Sequence, residues 1–212
     1  MAEILLDNQS APTTPASGTT YIYVDSTSKK LTTKNDTGTT DTVDDVANAS
    51  TANQTGFAAD TYVAGSSLTV PPGLLRVGSM FYCCFDMVKT AAGTAAATII
   101  IRFGTAGTTA DTARITFTWG AGTAAVDSGI FEVWAHVRTA GASGVLVGIA
   151  RCTHHLAATG LISTGASGMG FLTVTSSAFD MTVANSIIGV SFNGGTSFAG
   201  TNTVVQSYMK NV

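Results

Sequence analysis

Apolar and polar residues alternate with a period of two along most of the chain after Ser66. Ala113, Ile115, Phe117 and Trp119 are separated by Arg114, Thr116 and Thr118, and Phe131, Val133, Ala135 and Val137 by Glu132, Trp134 and His136. A period of two sends successive side chains to opposite faces, so each run predicts a half-buried β-strand. The same reading predicts strands at Ser67–Val70, Val77–Val88, Thr98–Phe103, Ala113–Trp119, Gly129–Thr139, Val145–Thr153, Gly170–Thr175, Ile187–Phe192 and Thr203–Met209. Connectors rich in Gly, Ala and Thr, such as GAGTAAVDSG between Trp119 and Ile130, suit chain reversals. The simplest arrangement of 113–119 and 129–139 is therefore an antiparallel hairpin. Short strands with tight turns and no long helical pattern predict an all-β fold, an antiparallel β-sandwich of jelly-roll type, with an immunoglobulin-like topology as the alternative.

Residues 1–43 read as a separate small module. Ile4, Leu5 and Leu6 form a short apolar start, Pro12 and Pro15 keep the next stretch extended, and Tyr21–Val24 and Leu31–Lys34 form a hairpin closed by polar turns. A lone hairpin is marginal in water and needs a partner surface. Residues 44–65 read as a Thr/Asn/Ala-rich linker with at most one short helix, leaving 66–212 as the β-domain.

Several strands of that domain are apolar on both sides: Tyr82 opposes Phe81 and Cys83, Ile100 opposes Ile99 and Ile101, and Trp134 opposes Val133 and Ala135. A solitary sandwich requires one apolar face per sheet, so the second face predicts self-association, with Tyr82, Ile100 and Trp134 at a subunit interface. Composition agrees. Only 11% of the 212 residues are charged against 45% hydrophobic, whereas an average domain has roughly 25% charged. A net charge of -3 supplies no basic surface for nucleic acid, and no apolar run is long enough to span a bilayer as a helix. Met1–Gln9 carries no basic, long-apolar leader pattern.

Catalytic signals are absent from the pattern. His154 and His155 are neighbours, so on a strand they point apart and cannot chelate one ion together; no metal and no cofactor are expected. Asp86, Asp111, Asp127, Glu132 and Asp180 stand apart in sequence with no acid–base pairing, and no GxSxG, P-loop or GxGxxG motif occurs. Cys83, Cys84 and Cys152 lack metal-type spacing and read as small apolar filler. The chain is read as a non-enzyme.

The opening ILLDNQSAPTTPASGTTYIYVDSTSKKLTTKNDTG resembles the short N-terminal module of tailed-bacteriophage virion structural proteins, namely head fibres, decoration proteins and tail fibres. The stretch VGSMFYCCFDMVKTAAGTAAATIIIRFGTAGTTADTARITFTWGAGTAA is similar to the Gly/Ala/Thr-rich β-domains at the distal ends of such proteins. The resemblance implies a jelly-roll-type homotrimer on the virion surface, assembled in the host cytoplasm and held by its N-terminus on the major capsid protein or another virion protein. It supplies no functional residue. The anchoring surface expected from the sequence itself is Ile4, Leu5, Leu6, Tyr21 and Tyr23. The alternative is a tail-fibre tip that binds a host receptor or surface glycan.

Overall fold

A computed structural model describes residues 8–26, 31–38, 40–42, 46–70, 75–91, 93–156, 158–163 and 169–210. The chain divides into two units, Met1–Asp45 and Val46–Val212.

The first unit is a four-stranded sheet, ordered β1 (Asn8–Gln9), β2 (Thr20–Asp25), β3 (Leu31–Asn35), β4 (Thr40–Thr42). β2 and β3 form the expected hairpin, with Tyr21 opposite Lys34 and Tyr23 opposite Thr32, and β1 adds on in parallel. The reversal at Asn35–Gly38 is an Asx turn: the Thr37 amide donates to Asn35 Oδ1 at 3.1 Å, and Gly38 takes φ +84°. The Lys34 ammonium donates to the Pro12 carbonyl at 2.7 Å, tying the extended proline stretch to β3. Among the unit's described residues only Pro15, Tyr23 and Thr32 are buried. So few buried side chains give these described residues little core of their own.

The second unit is built from two antiparallel sheets around one core. The smaller runs β10 (Thr112–Ala121), β9 (Ala96–Gly104), β14 (Ile187–Asn193), β6 (Thr61–Tyr62), with β7 (Leu68–Thr69) also on β14. The larger runs β13 (Met169–Thr175), β12 (Val145–His154), β11 (Asp127–Thr139), β8 (Met80–Ala91), β16 (Val205–Lys210), β5 (Val46–Ser50), with β15 (Ala199–Thr201) also on β8. The described residues contain no helix. This is the all-β antiparallel class that the alternation predicts; the finer jelly-roll order remains an expectation.

The inward residues follow the period. Phe81, Cys83, Phe85 and Met87 of β8, Phe131, Val133, Ala135 and Val137 of β11, and Ile115, Phe117 and Trp119 of β10 are all buried. The sheets meet through aromatic rings: Phe85 stacks on Phe131 at 5.3 Å, and Phe192 of the smaller sheet lies 5.3 Å from Phe131 and 6.0 Å from Phe85. Cys83 and Cys152 are buried free thiols, and burial pushes both far above the usual thiol range. They pack as small apolar groups.

Two expectations are corrected. Strands 113–119 and 129–139 are not a hairpin: β10 pairs with β9, while β11 pairs with β8 and β12. Residues 122–126 carry the chain from one sheet to the other, so Trp119 and Phe131 meet across the core with ring centroids 5.5 Å apart. Periodicity tells which face of a strand is inward and leaves the neighbouring strand open. The stretch 44–65 is also no linker beyond its first residues. From Val46 it belongs to the second unit: β5 pairs with β16, β6 pairs with β14, and Phe57 and Val63 are fully buried. Short Ala, Asn and Ser side chains around those apolar anchors gave the segment its linker-like composition.

Phe131 touches three aromatic rings and is fully buried, so Phe131→Ala is expected to cost about 3–5 kcal/mol in urea denaturation. Val126→Ala, at a 65% exposed loop position, should stay within about 0.5 kcal/mol of wild type.

Candidate functional site

The residues of the larger sheet that alternate with the core form its outer face. Register places Ile149, Trp134, Tyr82, Tyr208 and Ala47 side by side across five strands. The Tyr82 ring lies 5.4 Å from Trp134 and 4.9 Å from Tyr208, a continuous aromatic row. The adjacent row carries Phe171, Arg151, Glu132, Cys84 and Gln206. Phe171 is 61% exposed and Ile130, a further row along, 49%, large apolar areas for a sheet surface.

The polar groups between these rings are already satisfied. Glu132 Oε2 accepts from Arg151 Nε at 2.7 Å and from Arg151 Nη2, a two-pronged ion pair. Glu132 Oε1 accepts from the Tyr82 hydroxyl at 3.2 Å, and the Arg151 guanidinium sits 5.8 Å from the Trp134 ring. Burial first, then the neighbouring Cys84 and Glu132, push the Tyr82 phenol far above its ordinary value, so it remains a donor. Met80, Trp134, His136, Ile149 and Phe171 line an open depression of about 330 Å³ on this face. The arrangement offers apolar and aromatic contact area and holds no carboxylate oxygen in reserve for proton transfer.

Of the residues expected at a subunit interface, the structure brings Tyr82 and Trp134 together here. Ile100 does not join them; it lies on β9 of the smaller sheet, opposite Thr116 and Ser191. Tyr208, Phe171 and the Glu132–Arg151 pair were not anticipated. Carrying the alternation into Val205–Lys210 would have put Tyr208 outward. The ion pair depends on the register set by the bulge between Val137 and Thr139, which no local pattern reveals. In the first unit, Tyr21 of the expected anchoring set is 40% exposed, and Ile22 beside it 57%. Tyr23 is 2% exposed, so its ring is enclosed within the chain and is not presented to a partner, which corrects its place in the anchoring set. Ile4, Leu5 and Leu6 lie outside the described residues.

A second cluster closes one end of the larger sheet, from residues that stand apart in sequence. Asp127 opens β11 and His154 ends β12, and His154 Nδ1 lies 2.8 Å from Asp127 Oδ2 with both side chains fully enclosed. Asp127 also accepts from the amides of Ser128 at 2.9 Å, Leu156 at 3.1 Å and Leu161 at 2.8 Å. Buried Lys89 donates to the carbonyls of Gly93 at 2.6 Å, Gly160 at 3.1 Å and Thr123. An Asp–His pair can orient a catalytic base, but complete enclosure denies a substrate any approach. The cluster is a clasp that fixes the connection at 122–126 and the segments 155–156 and 158–163. Among the described residues, no group of three or more His, Cys, Asp or Glu side chains is placed to hold a metal ion.

Compared with protein-family models, curated proteins and solved structures, the chain matches none of them.

The clasp has a pH signature. Burial alone would raise the Asp127 carboxyl, but the amides of Leu161 and Leu156 and the His154 ring outweigh it and hold it below the usual carboxylate range. Its contribution to stability is therefore complete above about pH 4 and is lost as pH falls through the lowered value. Asp127→Asn should destabilise the fold at neutral pH by about 1–3 kcal/mol and flatten the acid limb of the stability–pH curve, read by urea midpoints between pH 2 and 7.

Proposed function

We propose that this chain is a virion structural protein of the tailed-bacteriophage kind that its sequence resembles: a homotrimeric decoration or short fibre, most simply on the head. Its first unit holds it on the major capsid protein or another virion protein, and its β-domain stands exposed on the virion surface. The observation that carries this reading is the division of labour between the units. Val46–Val212 has a large core of its own, while the described residues of Met1–Asp45 bury few side chains and present Tyr21 and Ile22 outward. A marginal sheet with exposed apolar groups gains its stability on a partner. Three such units on one particle would reinforce each other through effective concentration. Host-glycan binding by a fibre tip is the second reading, favoured by the aromatic row; the engagement of both Glu132 oxygens weighs against it.

Removing residues 1–45 should leave a folded β-domain, with an unchanged β-type circular dichroism spectrum, that no longer co-sediments with particles lacking this protein. In the full chain, Tyr21→Asp with Ile22→Asp should weaken particle binding at least tenfold, the effect of losing roughly 1.5–3 kcal/mol per large apolar side chain. Undiminished decoration by the truncated chain would refute the anchoring role.

A further inference from the structure

The outer face of the larger sheet needs an occupant, and we infer that it is further copies of this chain, which set the Trp134–Tyr82–Tyr208 row of each subunit against the same row of its neighbours. The inference rests on the oligomeric part of the proposed function; the attachment to a particle plays no part in it.

Three observations single out this occupant. The first is extent. Six strands at about 4.8 Å spacing, with four or more outward positions on β8, β11, β12 and β13 but three on β16 and two on β5, give a patch on the order of 24 by 20 Å at its widest before side-chain relief. With that relief it approaches the ~800 Å² per partner of a standard specific interface. The second is composition. The aromatic row is followed by exposed Phe171 in the next row and exposed Ile130 in the row beyond it, the composition of an interface core.

The third observation is electrostatic and separates the possible occupants. Glu132 and Arg151, beside the middle of the aromatic row, neutralise each other within one chain, and the Tyr82 hydroxyl completes the network; Lys210, 5.5 Å from the Tyr208 ring, is an exposed cation at the end of the row. A charged partner would find no unbalanced charge at the centre to recognise. A glycan, which needs acceptors and donors beside its stacking ring, would find both Glu132 oxygens occupied. An identical face is apolar, aromatic and internally neutral at its centre, and covering that centre strands no charge while Lys210 stays at the solvated rim.

The test is native mass spectrometry and analytical ultracentrifugation of the full chain at about 10 µM. The probe is Ile130→Lys combined with Phe171→Glu. Each new charge faces an opposite one across the sheet, Asp86 beside residue 130 and Arg151 beside residue 171, so the subunit itself remains folded. The control is Thr118→Lys with Val183→Glu, at exposed positions outside the larger sheet. Wild type and control are expected to be oligomeric, with the probe variant mostly monomeric and its dissociation constant raised at least 30-fold, as for loss of hot-spot contacts. A wild-type dimer dissolved by the same probe supports the inference and corrects only the trimeric copy number. A probe variant as oligomeric as wild type overturns the assignment of this face while leaving the oligomer intact. A monomeric wild type overturns both, and so does a monomer that binds an immobilised glycan array through Trp134. Particle co-sedimentation, read separately, bears on the anchor alone.

Discussion

The contact of Phe85 and Phe131 with Phe192 is the interaction on which the rest of the fold depends. Phe85 and Phe131 come from neighbouring strands of the larger sheet and Phe192 from the smaller, so these rings lock both the register of one sheet and the seating of the other. Once Phe131 is inward, strict alternation along β11 turns Glu132, Trp134 and His136 outward together. The same holds on β8, where Phe85 inward places Tyr82 and Cys84 outside. The aromatic face is thus a consequence of the core's register, and a one-residue slip would bury Glu132 and Arg138 in the core.

Much of this was legible in the sequence because alternation is a local property. The strand positions, the inward sets of β8, β10 and β11, and the outward placement of Tyr82 and Trp134 follow from counting by twos. Strand partnership is not local. Nothing in GAGTAAVDSG distinguishes a hairpin loop from a crossover between sheets, and only the meeting of Trp119 with Phe131 across the core resolves it. The segment from Val46 was misjudged for another reason: β5 is an edge strand of small residues, held by pairing to β16 rather than by a bulky inner face.

The two clusters differ in how far they could have been foreseen. Trp134 and Tyr82 announce themselves as large rings at outward positions. Asp127 and His154 are 27 residues apart and become partners through the β11–β12 register, which puts His154 opposite Gly129. Lys89 is the subtler case. Extending the β8 alternation by one step past Met87 puts a lysine inside, a position that composition-based reading rejects because an unpaired buried charge is costly. The carbonyls of three loops remove that objection, and burial draws the ammonium below its usual value while Asp127 opposes the shift.

The lysine clamp also bears on how this protein can vary. Its three bonds go to backbone carbonyls, so the clamp itself places no demand on loop side chains. Space supplies the demand at three points: a Cβ on Gly93 would meet Phe198 at 2.7 Å, one on Gly122 the Gly160 carbonyl oxygen at 2.3 Å, and one on Gly160 Asp127 at 2.2 Å. Around those fixed points, Thr94, Ala95, Ala124, Ala125 and Val126 are exposed and Thr159 is partly so. The end of the sandwich is therefore held by a fixed internal cation beneath exposed loop tips, so side chains at those tips can change without retuning the fold that supports them.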